Sequence, residues 1–438
     1  MSSPVSGLAA MRPRTGEPES AQKDAQRMTA MNPRVETGSV SRIESCVICG
    51  GTASEPLFAV PRVPIHPFCP PGGLGLEPGF GSLDIVACSG CGHIYNAGFD
   101  PDRVDDLYAA TVLTNTPVSD SMIRGLEATA DYILAHAPEN PAVADVGGGT
   151  GVLAMTMARR AREVHLVEPS RVLRPEDFAS RGVTLHQSMF PAPSLGERMF
   201  DVIVSRQVVE HIPDPLGFLG SIRSRLESGG IAYIECPSAE YIEATRSIVD
   251  FHYPHVHYYR RPALETLLAR AGFRVIEVID VKDGHDRGFL LSAAAESLGT
   301  PAPSRHSTGL AAGLAERVGL GRQRLGALDG TIALYGANAY SQALLGLYPE
   351  SARYGVMLDD TPMYEGQCAY GPGIYIPIRR PSREAFAGLA AVVITSYLHD
   401  GAIGRKVRDF GFKGPVLTVR AGARAGPEDW PPSLFACA

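Results

Sequence analysis

Between residues 142 and 168, two carboxylates and four glycines are spaced so that they can grip a small charged ligand. The run Ala142-Val-Ala-Asp-Val-Gly-Gly-Gly-Thr-Gly151 starts apolar, meets an acid at Asp145, and then turns glycine-rich. Gly147, Gly149 and Gly151 let backbone amides approach a ligand that a Cβ would block. The helical segment expected from Val152 to Arg160 adds an anion-attracting start. Position 152 is Val, so the spacing is Gly-x-Gly-x-Gly and not the Gly-x-Gly-x-x-Gly of dinucleotide sites. A carboxylate at 145 sits poorly beside a pyrophosphate but suits an ammonium group. Val164-His-Leu-Val-Glu168 reads as the next strand and ends in a second acid. An acid there can accept hydrogen bonds from both hydroxyls of a ribose. A glycine-rich turn in some other α/β protein, or a nicotinamide site, is the competing reading.

The pair of acids about a glycine turn resembles the S-adenosylmethionine site of Rossmann-like methyltransferases. The resemblance implies that Asp145 meets the methionine ammonium while the amides of Gly147, Gly149 and Gly151 approach the carboxylate. It also implies that Glu168 holds the ribose, Ser188 sits near the adenine and Gln207 lines the sulfonium.

Two Cys-x-x-Cys pairs, Cys46-Val-Ile-Cys49 and Cys88-Ser-Gly-Cys91, each set two thiols on a tight turn. Tetrahedral zinc requires that geometry. Gly50 and Gly92 follow the second cysteine of each pair and permit the bend that aims amides at the sulfurs. Two disulfides or redox pairs are the alternative, disfavoured in an intracellular chain. His93 lies close by, but four thiolates already fill a zinc shell. Such a site is closed and contributes folding energy, not chemistry.

Two histidine-bearing stretches complete the inventory. His211 follows the expected fourth strand, in Ser205-Arg-Gln-Val-Val-Glu-His211. Phe251-His-Tyr-Pro-His-Val-His-Tyr-Tyr-Arg260 follows the fifth. A metal site at His252, His255 and His257 is conceivable, but that stretch contains no carboxylate. A near-neutral imidazole acting as a base fits better. His255 is the expected base, with His211 and His252 holding substrate.

The elements that must position these groups follow from pattern. From about Ser119 to Asp280 strand and helix signals alternate, which predicts a parallel sheet with helices on both faces. Strands are expected at Ala142–Val146, Val164–Val167, Gly182–Leu185, Phe200–Val204, Ile231–Glu235 and from about Arg274. Asp214 and Pro215 open a helix that Gly229-Gly230 is expected to close. Pro262 starts another, with Leu264, Leu267, Leu268 and Ala271 on one face and Gly272 at its end. Ligands in such sheets sit beyond the carboxyl ends of the strands, where the candidate residues all fall.

The chain has 438 residues, 45% of them hydrophobic and 20% charged, as expected for a globular protein of two or three domains. A net charge of −7 gives no electrostatic case for nucleic acid or an anionic membrane as partner. No apolar run approaches the roughly 18 residues of a membrane span. The first forty residues lack an apolar signal core and read as a disordered leader, with Met28 or Met31 as possible starts. Cytoplasm is the expected compartment.

A third α/β segment adds Thr331-Ile-Ala-Leu-Tyr-Gly-Ala-Asn338, Gly355-Val-Met-Leu-Asp-Asp-Thr-Pro362, Gly366 and Gly371-Pro-Gly-Ile-Tyr-Ile-Pro-Ile378. Alone, the strand-glycine-helix pattern at 331–346 suggests a second nucleotide site. Taken in order, the parts resemble the sugar C-methyltransferases of deoxysugar and antibiotic biosynthesis, over roughly residues 43 to 420. The resemblance implies an α/β protein with a Rossmann-like class I methyltransferase domain, a small zinc-binding domain before it and a Rossmann-like C-terminal domain after it. Its expected parts are a leader (1–42), a zinc-binding domain (43–105), the S-adenosylmethionine domain (106–295), a helical linker (296–328) and a substrate-binding domain (329–425). It further implies a small-molecule partner, a nucleotide-linked 4-keto-6-deoxysugar, methylated on carbon after α-deprotonation. An O- or N-methyltransferase of another small molecule, and a zinc-stabilised binding protein, are the rival readings. The sequence departs from the family at Tyr-His-Glu-His, where the Tyr, Glu and second His align with His252, Pro254 and His255. The family's tyrosines after the zinc domain are not evident around Thr111 to Thr116, although Tyr108 is near.

Overall fold

The computed structural model describes residues 42–66, 68, 79–103, 117, 120–294, 309–420 and 431–435. Residues 1–41 of the expected leader, Tyr108 and the 111–116 segment lie outside the described residues. Contacts divide the chain into two compact units. The larger takes Arg42–Pro61 and Ser82–Arg317; the smaller takes the described parts of Arg62–Gly81 and Val318–Ala438.

Strands β1 (Ser54–Pro64), β2 (Phe80–Cys88) and β3 (Ile94–Asn96) open the chain. Then β4 (Ala142–Val146), β5 (Glu163–Val167), β6 (Val183–His186), β7 (Phe200–Arg206) and β8 (Leu226–Pro237) are interleaved with helices. These are α1 (Asp120–Ala135), α2 (Val152–Met157), α3 (Pro175–Ala179) and α4 (Pro215–Ser224), with α5 (Ala239–Thr245) after β8. Strand β9 (His257–Tyr258), helix α6 (Arg261–Arg270), β10 (Phe273–Val281) and β11 (Asp286–Ala293) follow. Seven of the strands form one sheet in the order β10-β11-β8-β7-β4-β5-β6. Every neighbour pair from β6 to β8 is parallel, and β11 alone runs against the rest. The connections leave β4 in opposite directions, towards β5 and later towards β7, so the switch point of the sheet lies between β4 and β7.

The reason these strands lie centrally is in their side chains. All five residues of β4 are buried. Ala142, Ala144 and Val146 pack with Ile203, Ile234 and Leu264 in one cluster. Val143 packs on the other face with Leu153, Ala154, Leu166 and Val202. A strand covered on both faces reads as a continuous apolar run, and Asp145 is the exception inside it. At the front, β1-β2-β3-β9 make a second, four-stranded sheet, in which β3 pairs antiparallel with β9 of the histidine stretch.

Two expected boundaries are corrected. Helix α2 ends at Met157, not Arg160, and the chain leaves through a turn in which Arg160 N–H donates to the Met157 carbonyl at 3.0 Å. Helix α4 ends at Ser224, ahead of Gly229-Gly230. The glycines belong to β8, where Gly229 has φ +82° and the register against β7 shifts. A glycine there permits the bulge and does not cap the helix. The opening of α4 is as expected: Pro215 is in its first turn and Asp214 Oδ1 accepts from Gly217 N–H at 3.0 Å.

After α7 (Leu310–Gly326), the smaller unit holds β12 (Thr331–Tyr335), α8 (Ala339–Leu347), β13 (Arg353–Leu358), β14 (Cys368–Gly371), β15 (Ile374–Arg379), β16 (Ala391–Ile394), α9 (Asp400–Asp409) and β17 (Val416–Thr418). Its sheet has the order β14-β15-β13-β12-β16-β17, parallel except for β14.

Candidate active site

The carboxyl ends of β4, β5, β6, β7 and β8 bring the sequence-derived donor residues to one edge of the large sheet. Asp145 is 1% exposed, and its Oδ2 has no hydrogen-bond partner. Burial raises its carboxyl to about 7; the nearby Arg206 cation pulls it down and Glu168 pushes it up. An unpartnered buried carboxylate is expensive unless a cation comes to it. The turn beyond it needs glycine: Gly147, Gly149 and Gly151 have φ of +69°, +58° and +70°. A Cβ on Gly148 would collide with the Asp145 carboxylate, and one on Gly151 with Phe178 and Leu166. Gly149 has open space where its side chain would be. The N-cap of α2, Gly151, supplies no side-chain hydrogen bond to the helix start.

Glu168, just past β5, is aimed by two backbone donors. Its Oε2 accepts from Gly149 N–H at 3.0 Å and its Oε1 from Ser170 N–H at 3.2 Å. Each oxygen keeps a further lone pair, so the carboxylate can still accept from a diol. Burial raises the Glu168 pKa and the two N–H donors oppose the rise. Ser188 lies two residues past β6, half-buried, its N–H donating to the His186 carbonyl at 3.0 Å. Gln207 lies just past β7 with φ +56°, a conformation that costs a non-glycine residue about 1–3 kcal/mol and recurs at functional sites. Its side-chain amide donates to Asp286 Oδ2 at 3.0 Å, and its backbone N–H to the Glu235 carbonyl at 2.7 Å.

The histidines meet on the turn after β7. His211 and His255 rings stand edge to face at 4.6 Å, and His252 lies 4.0 Å from His255. Burial depresses all three: His211 to about 3, His252 to about 4 and His255 well below the usual range. They are neutral imidazoles at physiological pH. His257 is drawn away from them, its Nδ1 facing His93 Nε2 at 3.2 Å beside β3. A carboxylate missing from the histidine stretch itself arrives from the turn after β7: Glu210 Oε1 is 3.9 Å from His211 Nε2 and 4.0 Å from His255 Nε2.

Two further groups escape sequence reasoning because only the tertiary fold joins them. Arg206 Nη2 donates to Glu235 Oε1 at 2.6 Å, and Tyr233 Oη to Glu235 Oε2 at 2.9 Å. Burial works against the Arg206 charge, yet Glu235 keeps the cation firmly protonated next to Asp145. His285 is held between Asp286 Oδ1 at 2.5 Å and Asp250 Oδ1 at 3.0 Å. Burial disfavours its charge, but the two acids lift it to about 9. The sequence signal was an acid beside His285, visible in His285-Asp286 but without meaning until Asp250 and Gln207 are placed.

The four cysteines converge within the larger unit. Cys46 and Cys91 sulfurs are 3.5 Å apart, as are those of Cys49 and Cys88, and all four lie within 4.8 Å of one another. Bonds of about 2.3 Å to a tetrahedral ion would set sulfurs about 3.8 Å apart, so the thiols fit a four-thiolate metal site. Gly50 and Gly92 adopt φ +74° and +72°, and their N–H groups donate to Cys46 and Cys88 carbonyls at 2.7 and 2.8 Å. Cys46, Cys49, Cys88 and Cys91 are free thiols, not disulfides.

With the geometry in hand, comparison with known proteins places the site in a class. Residues 120–278 match a family model described as a methyltransferase domain. That span contains the glycine turn, Asp145, Glu168, His211, His252 and His255. The chain therefore carries an S-adenosylmethionine-dependent methyltransferase domain. Among curated relatives, a ubiquinone biosynthesis O-methyltransferase of Ralstonia nicotianae is 34% identical over 107 residues, 23% of this chain and 45% of the relative. A namesake from Cereibacter sphaeroides is 37% identical over 93 residues, covering 20% of this chain and 37% of its own. The chain thus spans less than half the length of these relatives. Among solved structures, the CcbJ methyltransferase of Streptomyces caelestis aligns with 20% identity and TM-score 0.34, over 41% of this chain and 97% of that one. A methyltransferase of Clostridium acetobutylicum gives 14% identity and TM-score 0.34, over 41% and 94%. Among the described residues no helix is long and apolar enough to cross a membrane.

Proposed function

We propose that the chain methylates a small organic acceptor with S-adenosylmethionine, and that the acceptor is a ketone, such as a nucleotide-linked 4-keto-deoxysugar, methylated at its α-carbon. The observation that carries the donor part is the buried, unpartnered Asp145 Oδ2 beside a glycine turn that faces Glu168. These residues fit the donor: Asp145 would hold its ammonium, the glycine amides its carboxylate, Glu168 its ribose, with Ser188 towards the base and Gln207 towards the sulfur. The group supplies a methyl on positively charged sulfur. Everything else falls to the protein. The neutral imidazole of His255 takes the acceptor's α-proton, while His211 and His252 orient the carbonyl and steady the enolate oxygen. Holding donor and acceptor in line removes up to about 7–11 kcal/mol of entropic barrier in the best oriented systems. Cys46, Cys49, Cys88 and Cys91 would hold a structural zinc, which would supply folding energy.

A second reading has its own support: the curated relatives named above are O-methyltransferases by title. Oxygen methylation needs no enolate and tolerates Pro254 where the sugar enzymes carry Glu. One experiment separates the two. The protein is incubated with S-adenosylmethionine and a panel of 4-ketohexose nucleotides and phenols, and products are read by mass. A gain of one methylene with deuterium washed out of the α-carbon supports carbon methylation. Turnover of phenols alone overturns it.

A further inference from the structure

The turn after β7 and the histidine loop after β8 are stitched together, with Val256 N–H donating to the Glu210 carbonyl at 2.8 Å. Between them, the Glu210 carboxylate and the Nε2 atoms of His211 and His255 face one another, all three donor groups within 4.8 Å. Glu210 is 1% exposed, and neither of its side-chain oxygens has a hydrogen-bond partner. The 3.9 and 4.0 Å separations from Oε1 to the two imidazoles are too long for hydrogen bonds. An ion bonded to each atom at about 2.0–2.2 Å in tetrahedral geometry sets ligand atoms about 3.4 Å apart, so side-chain shifts of about half an ångström would close the three groups around one ion. A buried carboxylate left with neither hydrogen bond nor cation is a costly arrangement. We propose that Glu210, His211 and His255 bind a divalent first-row transition-metal ion, a second site distinct from the four cysteines.

Two imidazoles and one carboxylate form a mixed nitrogen–oxygen set of the kind that takes zinc, iron, nickel or manganese and leaves coordination positions open. A hydrogen bond to the Pro254 backbone fixes the His211 ring, the outer support that metal-bound imidazoles use. Around Glu210 stand Asp286, paired with Lys282 and His285, and Glu235, paired with Arg206, and around His255 the His252 ring and the His285 cation. The part this ion plays rests on the methyltransferase reading: an acceptor hydroxyl oxygen would take an open position, where the ion would make its O–H more acidic and its proton would pass to solvent. On the loaded protein His255 Nε2 holds the ion and cannot also take a proton, so the free-base role belongs to the unloaded protein alone.

The test uses full-length protein whose cysteine site is zinc-filled by elemental analysis. Manganese(II) and cobalt(II) are titrated in by calorimetry, with manganese also followed by the loss of its free paramagnetic signal. The expected result is one further ion per chain, with affinity falling by about tenfold or more in Glu210→Gln and in His255→Asn. Glu210→Gln keeps the volume, and a thermal melt of each variant confirms that it folds. Glu168→Gln serves as the control: it should keep the ion and lose affinity for S-adenosylmethionine. No ion beyond the cysteine-bound one in the unaltered protein, or unchanged affinity in Glu210→Gln, overturns the proposal. An ion that binds while Glu168→Gln leaves donor affinity intact overturns the donor reading and not this one.

Discussion

The chain contains two glycine turns of the same local design, each a parallel strand running into glycine, then a helix, with an acid at the end of the neighbouring strand. One is β4 to α2 with Glu168; the other is β12 to α8 with Asp359. In the second, the protein uses every group itself. Asp359 Oδ2 accepts from Ala337 N–H at 2.7 Å and Oδ1 from Thr361 N–H at 2.8 Å. Asn338 caps α8 by accepting from Tyr340 and Ser341 N–H at 3.0 and 3.1 Å, completed as a capping box. A Cβ on Gly336 would run into Ser396 and Thr395, which already fill the cradle. In the first turn, α2 has no side-chain cap, Gly149 faces open space, and Asp145 keeps an oxygen unpartnered. The lesson is that glycine spacing marks a possible ligand site, and what satisfies the nearby amides and acids decides whether it is one.

The sharpest way to break the comparison is to remove both acids in turn. Glu168→Ala should cost about 2–4 kcal/mol of S-adenosylmethionine affinity by calorimetry, since charged hydrogen bonds to a diol are lost. Asp359→Ala should leave that affinity unchanged. It should instead lower the urea midpoint by the equivalent of about 1–3 kcal/mol without changing the slope, because two N–H groups lose their acceptor. Gly149→Ala should cost about 1–2 kcal/mol, the penalty of forcing a side chain into left-handed backbone, divided between stability and donor affinity. The smallest effect is one of pH. Asp145, raised to about 7, is neutral below that value and attracts an ammonium only above it. Donor affinity should therefore rise as pH increases through about 7, by at most roughly tenfold per unit, and Asp145→Asn should flatten the profile.

The proposed donor site was legible in the sequence because its elements are local. Asp145, the glycines and Glu168 sit at strand ends whose apolar runs announce them, and the Cys-x-x-Cys turns carry their glycines with them. The parallel core of the large sheet follows from the same alternation, whereas its strand order and the antiparallel β11 depend on pairings that no single segment announces. The acceptor side was not legible to the same degree. Glu210 joins His255 only because β7 and β8 are neighbours, so a search for ligands within the histidine stretch alone finds no acid. Gly229-Gly230 misled for a related reason: the bulge they allow is a feature of pairing with β7, invisible one segment at a time. The β12 turn could not be told from a nucleotide site, since Asn338 and Ser396 reveal their role only in three dimensions.

The imidazolium of His285 ties together loops that chemistry must coordinate. Through Asp250 it reaches the segment that leads to His252 and His255, and through Asp286 it reaches Gln207 beyond β7. Its pKa lies above the unfolded value, so its contribution to stability is complete below about 6.5 and fades as pH climbs through about 9. One proton thus braces both loops, and if they hold donor and acceptor as proposed, alkali should slacken the grip on the two together.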